Sequence, residues 1–435
     1  MNILFERFTL PEQLSRVIYN SPSVIIPTSK EVLFELIFGN EHTGKIEVLY
    51  DVNGKPVKEA EVVRCKNGAA VNYPEDYMRR RDPDCMRIAD DQPTDKPRFE
   101  DVYGYKFDTL RHETLKWLTK QELILVPFKA GGYDYGYEAV LVCPRNAAFF
   151  GFAMAQLQAF VDIRTVDHFK PRAIVYVAPP FRHTHFKGKQ IVVHNRTPDL
   201  HEVFSYNLYP GPSAKKGIYS VLLDIGEQEG WVTAHASSAR IITPYENEMV
   251  MMHEGASGGG KSELLQDVMR CADGRVLLGV DLVTGEERYI SMSDTCTIAP
   301  VTDDMAMCPP SIQKSGGKLS LVDGEDGWFV RVDGITSYGC DPMYERIAIH
   351  SKEPLMFLNL EAVPRATCLP WEHVLDSDGK PCPNPRIIVP RRMIENIVTT
   401  PVDVDVRSFG VRMPPATAKK PTYGIMGLMH IIPPA

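Results

Sequence analysis

The octapeptide Gly255-Ala256-Ser257-Gly258-Gly259-Gly260-Lys261-Ser262 constrains this chain more than any other feature. It fits the G-x4-G-K-[ST] pattern of a phosphate-binding loop. Its glycines tolerate positive φ, so successive backbone N–H groups can converge on an anion. The lysine reaches the β- and γ-phosphates, and the hydroxyl reaches Mg²⁺. Such a loop works between a strand and a helix N-terminus, whose free N–H groups also face the anion. The sequence predicts both. Met249-Val250-Met251-Met252 reads as the strand, and Leu264, Leu265, Val268 and Met269 share one face of the helix. An α/β fold that binds a nucleoside triphosphate follows.

A chain of 435 residues with 44% apolar content has room for two or three domains. The expected division is a substrate-binding α/β domain over 1–230 and a P-loop nucleotide-binding domain over 231–435. The second is expected to be built on a mixed sheet and to be incomplete at its C-terminus, because the final stretch Gly424–Ala435 is apolar where chain ends are normally solvated. A formal charge of −8 and a pI near 5.9 argue against a nucleic-acid surface. The nine cysteines include no C-x-x-C pair, so neither zinc nor a disulfide framework is indicated. Charge at Glu6 and Arg7 argues against a signal peptide. No apolar run approaches the roughly 18 residues of a membrane span. A cytoplasmic protein without membrane partners is expected.

Short apolar runs predict strands at Ser23–Ile26, Leu123–Val126, Ala173–Val177, Gln190–Val193 and Ser220–Leu223. Phe149–Phe160 has helical spacing, and Glu75–Glu100, dense in charge and proline, reads as a long exposed loop. Beyond the P-loop, strands are expected at Val276–Val280, Ile298–Val301, Lys318–Val322 and Trp328–Val332. Gly316-Gly317 and Asp323-Gly324 read as hairpin turns. His183-Thr184-His185 reads as a polar loop. A P-loop also needs a carboxylate at the end of a neighbouring strand to hold the metal. Asp303-Asp304 and Asp281 both meet that requirement, and residue spacing does not choose between them.

Six further segments, taken in order, resemble the phosphoenolpyruvate carboxykinase superfamily, in particular a bacterial branch of it. Arg80-Arg81-Asp82-Pro83-Asp84 is similar to its G-R-S-P-K-D stretch, with Arg80 in place of the glycine. Ala178-Pro179-Pro180-Phe181 resembles A-P-G-F. Tyr209-Pro210-Gly211-Pro212-Ser213-Ala214-Lys215-Lys216 resembles Y-A-G-E-M-K-K with one extra residue. Ala234-His235-Ala236-Ser237-Ser238 resembles M-H-C-S-A. Pro385-Arg386-Ile387-Ile388-Val389-Pro390 looks like T-R-V-A-Y-P, and Phe409–Pro415 looks like F-G-V-L-P-P with one insertion.

That resemblance implies a two-lobed carboxykinase-like fold and a division of labour. Arg81 binds the substrate carboxylate, Tyr209 lies beside the substrate, Lys215 faces the transferred phosphate and Arg386 bridges substrate and γ-phosphate. Lys216, His235 and Asp304 hold Mn²⁺, with Asp304 matching the second residue of the family's D-D-E. Lys261 grips the ATP or GTP, with Mg²⁺ on Ser262. Oxaloacetate then loses CO₂, and its enolate oxygen attacks the γ-phosphoryl. Ser262-Glu263 also resembles the HPr kinase/phosphorylase group, which implies a protein kinase as the alternative. A nucleotide-sensing module without turnover is the third expectation.

Overall fold

The computed structural model describes residues 3–255, 261–262, 265, 271, 273–291 and 296–405. Ala256, Ser257, Gly258, Gly259 and Gly260 of the P-loop lie outside the described residues, as do Leu264, Val268 and Met269, the segment Phe409–Pro415 and the terminal stretch Gly424–Ala435. The class is mixed α/β, with several sheets and no barrel.

The described chain forms two compact units. The first combines residues 3–230 with 324–393, and the second combines 231–323 with 394–405. The chain therefore leaves the first unit and comes back to it, whereas the sequence reading kept 231–435 together.

Two mixed sheets build the first unit. The larger runs in the order Val24–Ile25, Leu123–Ala130, Tyr137–Pro144, Ala173–Val177, His201–Ser205, Val192–Arg196, Met86–Ile88, with Ala159–Phe160 paired to the second of these. The smaller joins Lys45–Val52, Lys55–Cys65 and Gly68–Asn72 to Leu355–Leu358, Arg386–Pro390 and Gly327–Arg331. Half of that sheet thus comes from the returning segment. The helix Ala148–Leu157 packs against strands of both sheets. It is apolar on every side because every side is buried. Phe149, Phe150 and Phe152 are nearly fully enclosed, each worth about 2 kcal/mol over an exposed side chain.

Three local expectations need correction. Ser220–Leu223 lies within the helix Lys216–Glu229, which Gly230 ends in a left-handed conformation. A short continuous apolar run does not separate a buried strand from a buried helix. Glu75–Glu100 is not simply an exposed loop, since Met86–Ile88 is a strand of the larger sheet and Met86 and Ile88 are buried. Asp323-Gly324 turns no hairpin: Leu319–Asp323 pairs with Ala306–Cys308 and Val402–Val404, while Gly327–Arg331 pairs with Arg386–Pro390.

The second unit holds a four-stranded sheet (Val232–Ala234, Ala306–Cys308, Leu319–Asp323, Val402–Val404) and a three-stranded one (Glu248–Glu254, Ala236–Ile242, Thr297–Thr302). A hairpin of Arg275–Val280 and Glu287–Ser291 completes it. Every strand pair among its described residues is antiparallel; the parallel pairing made by residues of 231–435 is that of Leu355–Leu358 with Gly68–Asn72, in the smaller sheet of the first unit. Small residues such as Ala234, Ala236, Ala299 and Ala306 dominate the core of the second unit.

Candidate active site

In the second unit, strand register gathers the predicted residues. Ala236–Ile242 is central in its sheet, with Ala236 opposite Glu254 and Ser238 opposite Thr302. His235 precedes the first strand, Gly255 follows the second, and Asp303-Asp304 follow the third. All therefore emerge at one end of the sheet. Thr302 Oγ1 fixes that end by donating to Ala236 O at 2.9 Å, and Gly255 N donates to His235 O at 3.3 Å.

The side chains meet there as well. His235 Nε2 lies 2.5 Å from Asp304 Oδ1. Lys261 Nζ lies 3.5 Å from the same oxygen and donates to Gly255 O at 2.9 Å. Ser262 Oγ donates to Asp303 Oδ1 at 2.5 Å. His235, Lys261, Asp303 and Asp304 are all buried. Burial without partners would be costly, and here cation, imidazole and carboxylates offset one another.

Asp281 is placed quite differently. It begins the exposed turn of the 275–291 hairpin, and its Oδ1 accepts from the backbone N–H groups of Val283 and Thr284, each at 2.8 Å. The Thr284 and Val283 bonds hold its carboxyl below the usual carboxylate range. Asp281 caps its own turn. The strand-end carboxylates beside Lys261 and Ser262 are Asp304 and Asp303.

In the first unit a second cluster forms. Asn384 Nδ2 donates to the Tyr209 hydroxyl at 2.8 Å, and Asn384 Oδ1 accepts from Arg386 Nε at 2.9 Å. Arg386 Nη1 donates to Phe329 O at 3.0 Å, and its guanidinium sits 5.2 Å from the centre of the Phe329 ring. Tyr73 packs edge-on against Tyr209 and donates to Leu208 O at 2.9 Å. The sequence reading did not single out Asn384. Its signal was its place two residues before Arg386.

Of the three consecutive arginines, Arg79 and Arg80 are tied to Asp76 and Asp376 or to backbone carbonyls. Arg81, half-buried, has no hydrogen bond or ion pair among the described residues. Its guanidinium is chemically available to an anion. Lys215 and Lys216 sit where a π-helix, Gly211–Lys215, passes into the helix Lys216–Glu229. Lys215 Nζ lies 3.3 Å from Glu325 Oε1, and Lys216 Nζ lies 5.2 Å from the centre of the Tyr219 ring. His183 and His185 belong to the helix Phe181–Phe186 rather than a loop; His183 contacts Glu59, and His185 pairs with Glu113 at 3.2 Å.

Among the described residues no cluster of three or more His, Cys, Asp or Glu side chains suits a metal ion. The expected set has only two such residues, because its other member is a lysine. His235 and Asp304 bring one nitrogen and one oxygen donor to a common point, which suits a divalent ion such as Mn²⁺. Ser262 and Asp303 bring a hydroxyl and a carboxylate together, an oxygen pair suited to Mg²⁺. Lys216 belongs to the first unit.

The profile of the domain of unknown function DUF4914 matches residues 10–435, nearly the whole chain. The chain belongs to the DUF4914 family. No curated protein matches it. In this DUF4914 chain no helix among the described residues is long and apolar enough to cross a membrane. What the DUF4914 site does must be argued from its chemistry.

Proposed function

We propose that this DUF4914 chain is a cytoplasmic nucleotide-dependent phosphotransferase of the phosphoenolpyruvate carboxykinase type. It converts oxaloacetate and ATP or GTP to phosphoenolpyruvate, CO₂ and the nucleoside diphosphate. The observation that carries this reading is the convergence of His235, Lys261, Ser262, Asp303 and Asp304 at one end of a three-stranded sheet.

Each residue has a physical task. Lys261 presents a buried ammonium to the β- and γ-phosphates, and Ser262 with Asp303 would hold Mg²⁺ beside them. His235 and Asp304 would hold Mn²⁺ through neutral imidazole and carboxylate, with Lys216 as the further donor that the carboxykinase resemblance implies. Bound there, the ions supply charge neutralisation for the substrates. In the first unit, Arg386 is oriented by Asn384 and Phe329, and its planar guanidinium fork is of the kind that recognises a carboxylate or phosphoryl group through bidentate contacts. Arg81 supplies a second such fork. Tyr209, fixed through its hydroxyl by Asn384, orients the substrate between them.

The extra residue in the Tyr209–Lys216 segment supports the same reading. A π-turn closes an i→i+5 hydrogen bond and so takes up one residue more than an α-turn. The π-helix at Gly211–Lys215 lies within the segment that carries the extra residue, and the helix that follows begins at Lys216.

Oxaloacetate-dependent formation of phosphoenolpyruvate with ATP or GTP, Mg²⁺ and Mn²⁺ tests the proposal. Nucleotide binding without product would favour the HPr-kinase-like or sensing alternatives.

A further inference from the structure

Glu122 and Arg145 stand at one end of the strand pair Leu123–Ala130 and Tyr137–Pro144 in the larger sheet. Leu123 pairs with Pro144, and Arg145 N donates to Glu122 O at 2.8 Å, which carries the antiparallel register one residue further. The two side chains therefore lie opposite each other on one face of the sheet. Opposite charges so placed attract. Yet among the described residues neither Arg145 nor Glu122 makes an ion pair.

The guanidinium caps a helix instead. Arg145 Nη1 donates to Leu36 O in the last turn of the helix Lys30–Phe38, where a cation is favoured. That bond uses one of the five N–H donors of an arginine. It is the one side-chain hydrogen bond of Arg145 among the described residues. Burial lowers Arg145 from its ordinary value, and the Glu122 charge offsets that only in part. A partly buried cation in this position gains from an anion brought to it.

Both residues line a cavity of about 350 Å³, within the roughly 300–1,000 Å³ of small-molecule sites. Its apolar wall includes Phe38 and Ile46, the latter on the strand Lys45–Val52 of the smaller sheet. Gln121 and Asn146 line it too. Asn146 Nδ2 donates to Leu49 O at 3.1 Å and Gln121 Nε2 to Trp117 O at 3.4 Å, which leaves the amide oxygen of each to accept. Glu47, also in the lining, is already paired with Lys58 at 2.8 Å. Glu122 and Asn146 are exposed, so a ligand can enter from solvent beside them.

The cavity thus offers a guanidinium, an unpaired carboxylate, amide oxygens and an apolar wall. A phosphate or a dicarboxylate would meet Arg145 but be repelled by Glu122. We propose that the cavity binds a small zwitterion, an α-amino acid with an apolar side chain. The ligand carboxylate takes the planar fork of Arg145, which suits bidentate contacts. Its ammonium takes Glu122, and its side chain lies against Phe38 and Ile46. All these residues belong to the first unit, and the assignment stands whatever the chain does with nucleotides.

Isothermal titration calorimetry of the full chain with L-leucine, L-methionine and L-phenylalanine tests this. At least one is expected to bind with a Kd below about 1 mM. The methyl ester of that amino acid lacks the carboxylate, and its desamino analogue lacks the ammonium. Each analogue should bind at least about tenfold more weakly, since a hydrogen bond to a charged group is worth that or more. Glu122→Gln and Arg145→Gln should each weaken the amino acid by a similar factor. No binding of any of the three at about 10 mM, tenfold above that limit, would overturn the proposal. Equal binding of either analogue would overturn it as well, as would unchanged binding in folded Glu122→Gln. The two analogues are read on the unaltered chain, so they decide the matter even if Arg145→Gln, which loses the helix cap, fails to fold.

Discussion

His235 Nε2 and Asp304 Oδ1 stand 2.5 Å apart although 69 residues separate them. The antiparallel register of three strands brings them together, since each residue lies just beyond the same edge of the sheet. Lys261 shares the Asp304 oxygen. One carboxylate thus links Lys261 to the proposed metal donors.

On the proposed assignment, that link would make Mn²⁺ binding sensitive to either donor. Asp304→Asn and His235→Asn are each expected to weaken Mn²⁺ binding by at least about tenfold, since loss even of groups that only orient metal ligands costs about 10–100-fold. Asp281→Asn, at the exposed hairpin turn, should leave binding unchanged. Titration of free Mn²⁺ by electron paramagnetic resonance separates these outcomes.

Gly211 is expected to tolerate no side chain. A Cβ there would lie 2.8 Å from Tyr209 Cε1, inside the ring's van der Waals surface. Gly211→Ala should destabilise the first unit by about 1–3 kcal/mol, as overpacking does. It should also displace Tyr209 from Asn384. Urea unfolding measures the first effect.

Thiol reactivity should separate Cys340 from three of the buried cysteines. The Ser337 hydroxyl, with further bonds around Thr336, lowers the Cys340 thiol to about 7. Burial pushes Cys85, Cys143 and Cys308 up to about 12. The thiolate is the nucleophile. Iodoacetamide at pH 7 should therefore modify Cys340 well before those three, and its rate at Cys340 should approach a tenfold drop per pH unit below 7. Peptide mass mapping reads both.

Acid should weaken the first unit through His194. Burial, then the nearby His201 and Arg196, hold this imidazole well below its ordinary range. In the folded chain it stays neutral, with Nδ1 2.8 Å from His201 Nε2. Once unfolded it takes a proton near pH 6.5. The stabilisation is therefore present above that pH and declines as pH falls, by at most about 1.4 kcal/mol per unit. His194→Gln should flatten this part of the acid limb in urea melts at pH 7.5, 6.5 and 5.5.

Local and ordered features were legible in the sequence. The strand before the P-loop, the helix at Ala148–Leu157 and the strand Ala173–Val177 all follow from apolar runs and their spacing. The pair Asp303-Asp304 was visible as a strand-end carboxylate. What distinguished Asp304 from Asp281 was not, because that depends on register between strands far apart in the chain. The same holds for the return of 324–393 to the first unit. It was hidden because Asp323-Gly324 carries a strong turn signal, while the pairing of Gly327–Arg331 with Arg386–Pro390 is set by tertiary packing. Asn384 escaped notice for a related reason: an amide before an arginine acquires meaning only from what it touches.

Phosphoenolpyruvate production from oxaloacetate tests the central claim most directly. It should be measured with ATP and with GTP, in Mg²⁺ and Mn²⁺, for the unaltered chain, Lys261→Ala and Arg386→Ala. Nucleotide-dependent product from the unaltered chain is expected, falling by at least about 100-fold in each variant, as loss of a group that stabilises transition-state charge does. A folded, nucleotide-binding chain that makes no phosphoenolpyruvate, or one whose activity survives both substitutions, would contradict it.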